Sequence, residues 1–204
     1  DLSAYAGHSF DLVMSFDAPV SYTWPNQENV LANLVRICKK RIMLSVSSRL
    51  GSLPYLANPL QKNQFILDEN CDDPWVNWCV SNYQNAIDQF SFSQTACMDV
   101  LENGLMGGSA EIAAYEKGEA PWPITYAFLP DEFERILRKN GVRDIQLAGP
   151  GAYARTIPNE ILRKIMNDPE QRTAFLDFCH TFDQNPYVCG MGKDNLFAKG
   201  VVSS

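Results

Sequence analysis

Residues 11–48 alternate strand, helix and strand, and this rhythm constrains the fold more than any other feature of the chain. Asp11 to Phe16 holds Leu12, Val13 and Met14 in consecutive positions. That is the pattern of a parallel strand covered on both faces, not of an alternating surface strand. Pro25 and Asn26 then precede a helical repeat with Val30, Leu31, Leu34, Val35 and Cys38 on one face. Asn26 is placed to cap the helix, and Lys39 and Lys40 fall in its last turn, where cations suit the helix dipole. "RIMLSVSS" at 41–48 reads as a second apolar strand. Two strands joined by a helix form a βαβ unit, with the strands parallel and the crossover right-handed.

The rhythm returns near the carboxyl end. "FLPDEFERILRKNG" places Pro130 in a first turn beside Asp131 and Glu132, turns Phe133, Ile136 and Leu137 inward, and puts Gly141 just past the helix. "VRDIQLAG" at 142–149 is a third strand, helices follow near 159–167 and 169–182, and "KDNLFAKGVV" at 193–202 is a final strand. Strands alternating with helices predict an α/β layer fold. Residues 53–122 break the pattern: one helix starts at Asp72, Asp73 and Pro74 and carries Val76, Cys79, Val80, Tyr83, Ile87 and Phe90 at helical spacing. A less regular segment holds Ala96, Cys97, Val100 and Leu101 before Gly107 and Gly108. An insertion this long is expected to be a lid over a binding site. The expected organisation is a first core segment 1–52, a helical insertion 53–122 and a closing core segment 123–204.

Composition narrows the function classes. Of 204 residues 46% are hydrophobic, enough for a sizeable core. Seventeen basic residues stand against 24 acidic ones, and the net charge is −7. With no cationic cluster longer than Lys39-Lys40-Arg41, binding to nucleic acid or to an anionic membrane is disfavoured, since both draw affinity from clustered positive charge. The cysteines at 38, 71, 79, 97, 179 and 189 include no Cys-x-x-Cys pair, and with His8 and His180 as the only histidines no zinc spacing is recognisable. No apolar stretch reaches the length of about 20 residues that crosses a bilayer. These features predict a cytoplasmic chain with free thiols and no metal. The first residue is Asp1, as in a chain that begins inside a longer protein.

Open α/β sheets bind ligands outside the carboxyl ends of their strands. That rule points to Ser15, Phe16, Asp17, Ala18 and Pro19 after the first strand, Ser45 to Arg49 after the second, and Gly149-Pro150-Gly151 after the third. Asp17 is the acid among them, able to hold an amine or hydroxyl or to accept a proton, or else simply to cap the turn into Pro19. Ser21, Tyr22 and Trp24 can close an aromatic wall around a small ligand, or pack on the helix below. Tyr153 and Arg155 follow the glycine-rich loop, with Arg155 a candidate for binding an anionic group. His180, between apolar positions of a helix, reads as a partly buried structural histidine. No phosphate loop, Ser-His-Asp order or metal cluster is recognisable.

"SFDLVMSFDAPVSY", a helix, "RIMLSVSSRLG" and "FLPDEFERILRKNGVRDIQLAG" together resemble the second half of a class I S-adenosylmethionine-dependent methyltransferase. The resemblance implies a Rossmann-like sheet that begins at the family's fourth strand and ends in a seventh strand, "NLFAKGVV", laid antiparallel between the fifth and sixth. The family's glycine-rich turn and ribose-holding acid belong before the fourth strand, so the first three strands are expected to be missing. By the same resemblance Asp1, Leu2, Ser15, Phe16 and Asp17 lie on the side of the cofactor, S-adenosylmethionine, with Pro19, Tyr22, Arg49, Tyr153 and Arg155 toward a small-molecule acceptor. Asp17 or Tyr22 would act as base if the acceptor loses a proton. Two other readings stay open: a non-catalytic methyltransferase-like partner protein without a donor site, and a different doubly wound enzyme such as a nucleotide-binding oxidoreductase. In each case the apolar first strand would be an exposed edge, prone to association.

Overall fold

The sheet is organised by one long strand. A computed structural model describes residues 2–57, 88, 91–106, 108–118 and 124–202. Within it β1 (Phe10–Ser15) leads through a short turn, Pro19–Thr23, to α1 (Gln27–Ile37) and then directly into β2 (Cys38–Ser48). Along one edge of β2 the partner changes. β1 pairs parallel with its first part, Ser15 opposite Leu44, and the short strand β4 (Thr125–Phe128) takes over at Ser47 and Ser48, also parallel. Along the other edge β6 (Asn195–Val202) runs antiparallel to β2 from Arg41 to Ser47. β6 in turn pairs antiparallel with β5 (Val142–Ala148), so the last strand in sequence lies between β2 and β5. A two-residue strand, β3 (Leu105–Met106), pairs antiparallel with β4 and ends that side of the sheet. The architecture is a mixed α/β sheet with helices.

Helix α1 ends three residues before the expected stop. Cys38, Lys39 and Lys40 belong to β2, where Cys38 is buried opposite Phe10 and Lys40 pairs with Asp11 at 2.9 Å. Sheet pairing and a cross-strand ion pair therefore override the dipole argument that put these cations in a helix. Asn26 does occupy the position before the helix, but its side chain makes no capping hydrogen bond.

One face of the sheet carries the core. Ile42, Leu44 and Val46 of β2, Leu196 and Ala198 of β6 and Val13 of β1 meet Leu31 and Val35 of α1 and Phe133, Ile136 and Leu137 of α5 (Pro130–Lys139). Burial of Phe133 alone contributes about 2–3 kcal/mol. Its ring sits 5.5 Å from that of Phe128. The expected inward residues of α5 are the buried ones, with acids in its first turn and Arg138 and Lys139 in its last.

The opposite face corrects the reading of β1 as covered on both sides. Side chains alternate across a strand, and Phe10, Leu12 (47% exposed), Met14 (54% exposed) and Phe16 stand open to solvent on the face away from buried Val13. The consecutive apolar residues thus mark a strand with one face packed and one uncovered among the described residues.

Of the 53–122 segment the described parts include the end of α2 (Arg49–Ala57), α3 (Gln94–Asn103), β3 and α4 (Gly108–Glu116). The helix expected from Asp72 lies outside the described residues, as does Asp1. Toward the end come α6 (Asn159–Asn167) and α7 (Pro169–Asp183), with Asp168 accepting hydrogen bonds from the amides of Glu170 and Gln171 as the cap of α7. No helix among the described residues is long and apolar enough to cross a membrane.

Candidate functional site

The change of partner along β2 opens the site. β1 stops at Ser15, and the chain turns away through Asp17 (φ 68°) and Ala18 (φ 53°), two successive residues in the left-handed region. Aspartate tolerates this conformation better than most side chains, whereas alanine does not. Such a turn costs on the order of 1 kcal/mol or more and persists only where its surroundings hold it. Here they do. The Ala18 amide donates to Ser45 Oγ at 3.1 Å in the core, and the Ser47 amide donates to Ser21 Oγ at 2.8 Å. Of the buried serines in "RIMLSVSS", Ser45 thus staples β2 to the turn through its hydroxyl, Ser47 does so through its amide, and the Ser48 hydroxyl donates to the Gly190 carbonyl.

Between this turn, the end of β2 and the start of β6 lies a cleft of about 300 Å³, lined by Asp17, Tyr22, Ser52, Met106, Asp194 and Asn195 among others. It sits at the carboxyl ends of β1 and β2, the position where open α/β sheets bind ligands. Asp194, like Asp17, has a positive φ, 59°. Ser52 is 1% exposed, and its Oγ has no hydrogen-bond partner among the described residues. Lining residues among those described include two acids and no lysine, arginine or histidine.

The two residues expected to be catalytic, Asp17 and Tyr22, therefore share one cleft, with Tyr22 46% exposed. Pro19 opens the short turn beside them and is exposed. Trp24, half-buried, is not part of the lining. Other expected site residues go elsewhere. Arg49 is buried and fully engaged: its guanidinium donates to Glu132 Oε2 at 2.9 Å, to the Tyr126 hydroxyl at 3.1 Å, to the Ala127 carbonyl at 3.0 Å and to the Leu101 carbonyl at 3.5 Å. The Tyr126 hydroxyl donates to the other oxygen of Glu132. Burial, followed by that contact with Glu132, pushes the Tyr126 phenol up to about 12. Gly104 closes over this cluster: at its φ of +72°, a Cβ would stand 2.5 Å from an Arg49 nitrogen and 2.7 Å from the Ala127 oxygen. Arg49 thus ties the end of β2 to β4, α3 and α5.

Arg155 donates to the carbonyls of Gly51 and Met191, each at 3.1 Å. Tyr153 sits in an aromatic cluster with Phe175, Phe178 and Phe182. The glycine-rich loop before them is held by Asp183, whose carboxylate accepts from the Gly151 amide at 2.9 Å and whose carbonyl accepts from the Gly149 amide. His180 is exposed, bonded to Gln184.

Of the residues assigned to the cofactor side, Asp1 lies outside the described residues. The Leu2 carbonyl accepts from Arg36 and its side chain packs on the core. Ser15 ends β1. Phe16 stands against Phe197 with ring centres 5.9 Å apart and lines a separate pocket of about 340 Å³ on the open face of the sheet, beside Met43 and Asp183. Only Asp17 reaches the strand-end cleft. A larger cavity, about 710 Å³, opens beside the first turn of α5, between Pro130, Glu134, Gln146 and Tyr187, and holds no orphaned buried polar atom.

Ser52, Asp194 and Asn195 were not legible as site residues from strand ends alone. Asp194 precedes the last strand, and only the antiparallel direction of β6 brings a strand's beginning to the edge where β1 and β2 end. Compared with protein-family models and with curated protein sequences, the chain matches none.

Proposed function

We propose that this chain forms the acceptor-binding side of an S-adenosylmethionine-dependent methyltransferase acting on a small molecule. The observation that supports this most is the place of β6. The resemblance expects a last strand laid antiparallel between the fifth and sixth, and β6 runs antiparallel between β2 and β5. A sheet order does not itself specify an activity, and the second support is the cleft at the strand ends. On this reading Asp17 binds the acceptor and takes its proton where one must leave, with Tyr22 as the alternative base and side wall. The strained turn sets Asp17 in place before the ligand arrives, so orientation is not lost to motion at the moment of reaction. When bound, S-adenosylmethionine supplies a methyl group activated on a sulfonium.

One competing reading is a methyltransferase-like binding protein that uses the cleft without transferring a group. Calorimetric titration of S-adenosylhomocysteine into a version of the chain extended upstream separates the two. Saturable binding that weakens in Asp17→Asn supports the transferase; no heat of binding replaces it with the binding protein.

A further inference from the structure

We infer that the strand-end cleft binds a primary or secondary amine in its ammonium form, on a small molecule with a modest apolar body. This deepens the proposed function by naming the acceptor class: as an acceptor the ammonium first gives one proton to Asp17, which frees the nitrogen lone pair that displaces the methyl group from the sulfonium. It rests on that reading only for the acceptor role; the binding site stands by itself.

An ammonium carries up to three N–H donors and no acceptor, so a pocket that takes one without water must offer oxygens with lone pairs. Seven of the residues that line this cleft carry side-chain oxygens: Asp17 and Asp194 as carboxylates, Tyr22, Ser47, Ser52 and Thr125 as hydroxyls and Asn195 as an amide. Ser52 is the independent sign of a ligand. A buried hydroxyl left without a partner costs about 1–3 kcal/mol. Its neighbours show that the fold supplies partners where it can: Ser21, Ser45 and Ser48 are all hydrogen-bonded to main chain. Ser52 alone among these four is orphaned. A ligand N–H donating to Ser52 Oγ completes it.

Charge selects the sign of the ligand. Two acids and no basic side chain line the described cleft. An anionic group placed there would meet like charges, while a cation gains charge-assisted hydrogen bonds, about twice as strong as neutral ones. Asp17 and Asp194 both stand at positive φ. Of the remaining lining, Ser47, Thr125 and Asn195 are polar, while Ala18, Met106 and the ring of Tyr22 offer a surface for the body of the ligand.

The test uses benzylamine, with benzyl alcohol and benzoate as neutral and anionic counterparts of the same shape, titrated into the chain at pH 7 and followed by amide chemical shifts. Benzylamine is expected to bind at least tenfold more tightly than either counterpart. Asp17→Asn and Asp194→Asn should each weaken it about tenfold or more. Asparagine also tolerates positive φ, so both variants keep the turn, and an unchanged melting midpoint confirms this. Ser52→Ala should weaken benzylamine several-fold while leaving the small affinity for benzyl alcohol unchanged. The inference is overturned if benzyl alcohol or benzoate binds as well as the amine, if none of the three binds at millimolar concentration, or if both asparagine variants bind benzylamine as before. Failure of S-adenosylhomocysteine to bind, with the amine preference intact, removes the methyl transfer and leaves the amine site; the reverse pattern removes the amine and leaves the transferase.

Discussion

Replacing Arg49 by methionine tests whether this cation is structural. Its side chain is 6% exposed and its partner Glu132 19% exposed, with 2.9 Å between Nη2 and Oε2. Methionine fills much of the same volume but leaves the Glu132 carboxylate with only the Tyr126 hydroxyl and, at 3.3 Å, the Leu129 amide. It also strips donors from the carbonyls of Ala127 and Leu101. Removing one member of a buried ion pair costs about 3–5 kcal/mol, because the other charge stays behind without compensation. At a urea dependence of about 2–3 kcal/mol per molar, the unfolding midpoint should fall by roughly 1–2.5 M. Glu132→Leu alone should also destabilise. The double variant, with neither charge left to bury, should recover most of the loss, so that the single effects are strongly non-additive. Equilibrium urea unfolding followed by circular dichroism measures all four proteins. A loss below about 1 kcal/mol for Arg49→Met, or simple additivity in the double variant, would show that the pair is solvated and that Arg49 is free to meet a ligand.

Three other outcomes follow from the structure. Folding keeps the Tyr126 phenol protonated up to about 12, against 10.0 for an ordinary phenol. The unfolded chain therefore loses this proton first, and stability should decline as pH rises from about 10 to about 12, a decline that Tyr126→Phe removes in alkaline unfolding curves. Asp17→Gly should leave stability unchanged or raise it by up to about 1 kcal/mol, since glycine adopts positive φ without strain. The same variant should lose benzylamine binding, and a large stability loss instead would mark Asp17 as a structural cap. Finally, Leu12→Lys with Met14→Lys should reduce concentration-dependent light scattering of the chain, because these exposed side chains of β1 form an uncovered apolar surface; equal scattering would place any association elsewhere.

The sequence by itself determined the order of the main elements. Consecutive apolar residues at 12–14, helical spacing at Phe133, Ile136 and Leu137, and Pro130 and Gly141 at the ends of one helix are local patterns, set by the pitch of a helix or the pleat of a strand. It also pointed to Asp17, because the residue after a first parallel strand falls at the carboxyl edge of the sheet wherever the neighbours lie. Tertiary structure decided what period and propensity do not encode. The strand Thr125–Phe128, too short to show a period, exists because Ser47 and Ser48 offer it a free edge once β1 has turned away. Arg49, which the sequence placed toward a ligand, is consumed by Glu132, a residue 83 positions away that only folding brings within 3 Å. Asp194 and Ser52 join Asp17 because β6 runs backwards through the sheet and α2 follows β2 without a loop. A binding site made at the meeting of strand ends depends on strand direction and order. Those are fixed by which edges and faces find partners, a property of the whole chain that no short stretch of it carries.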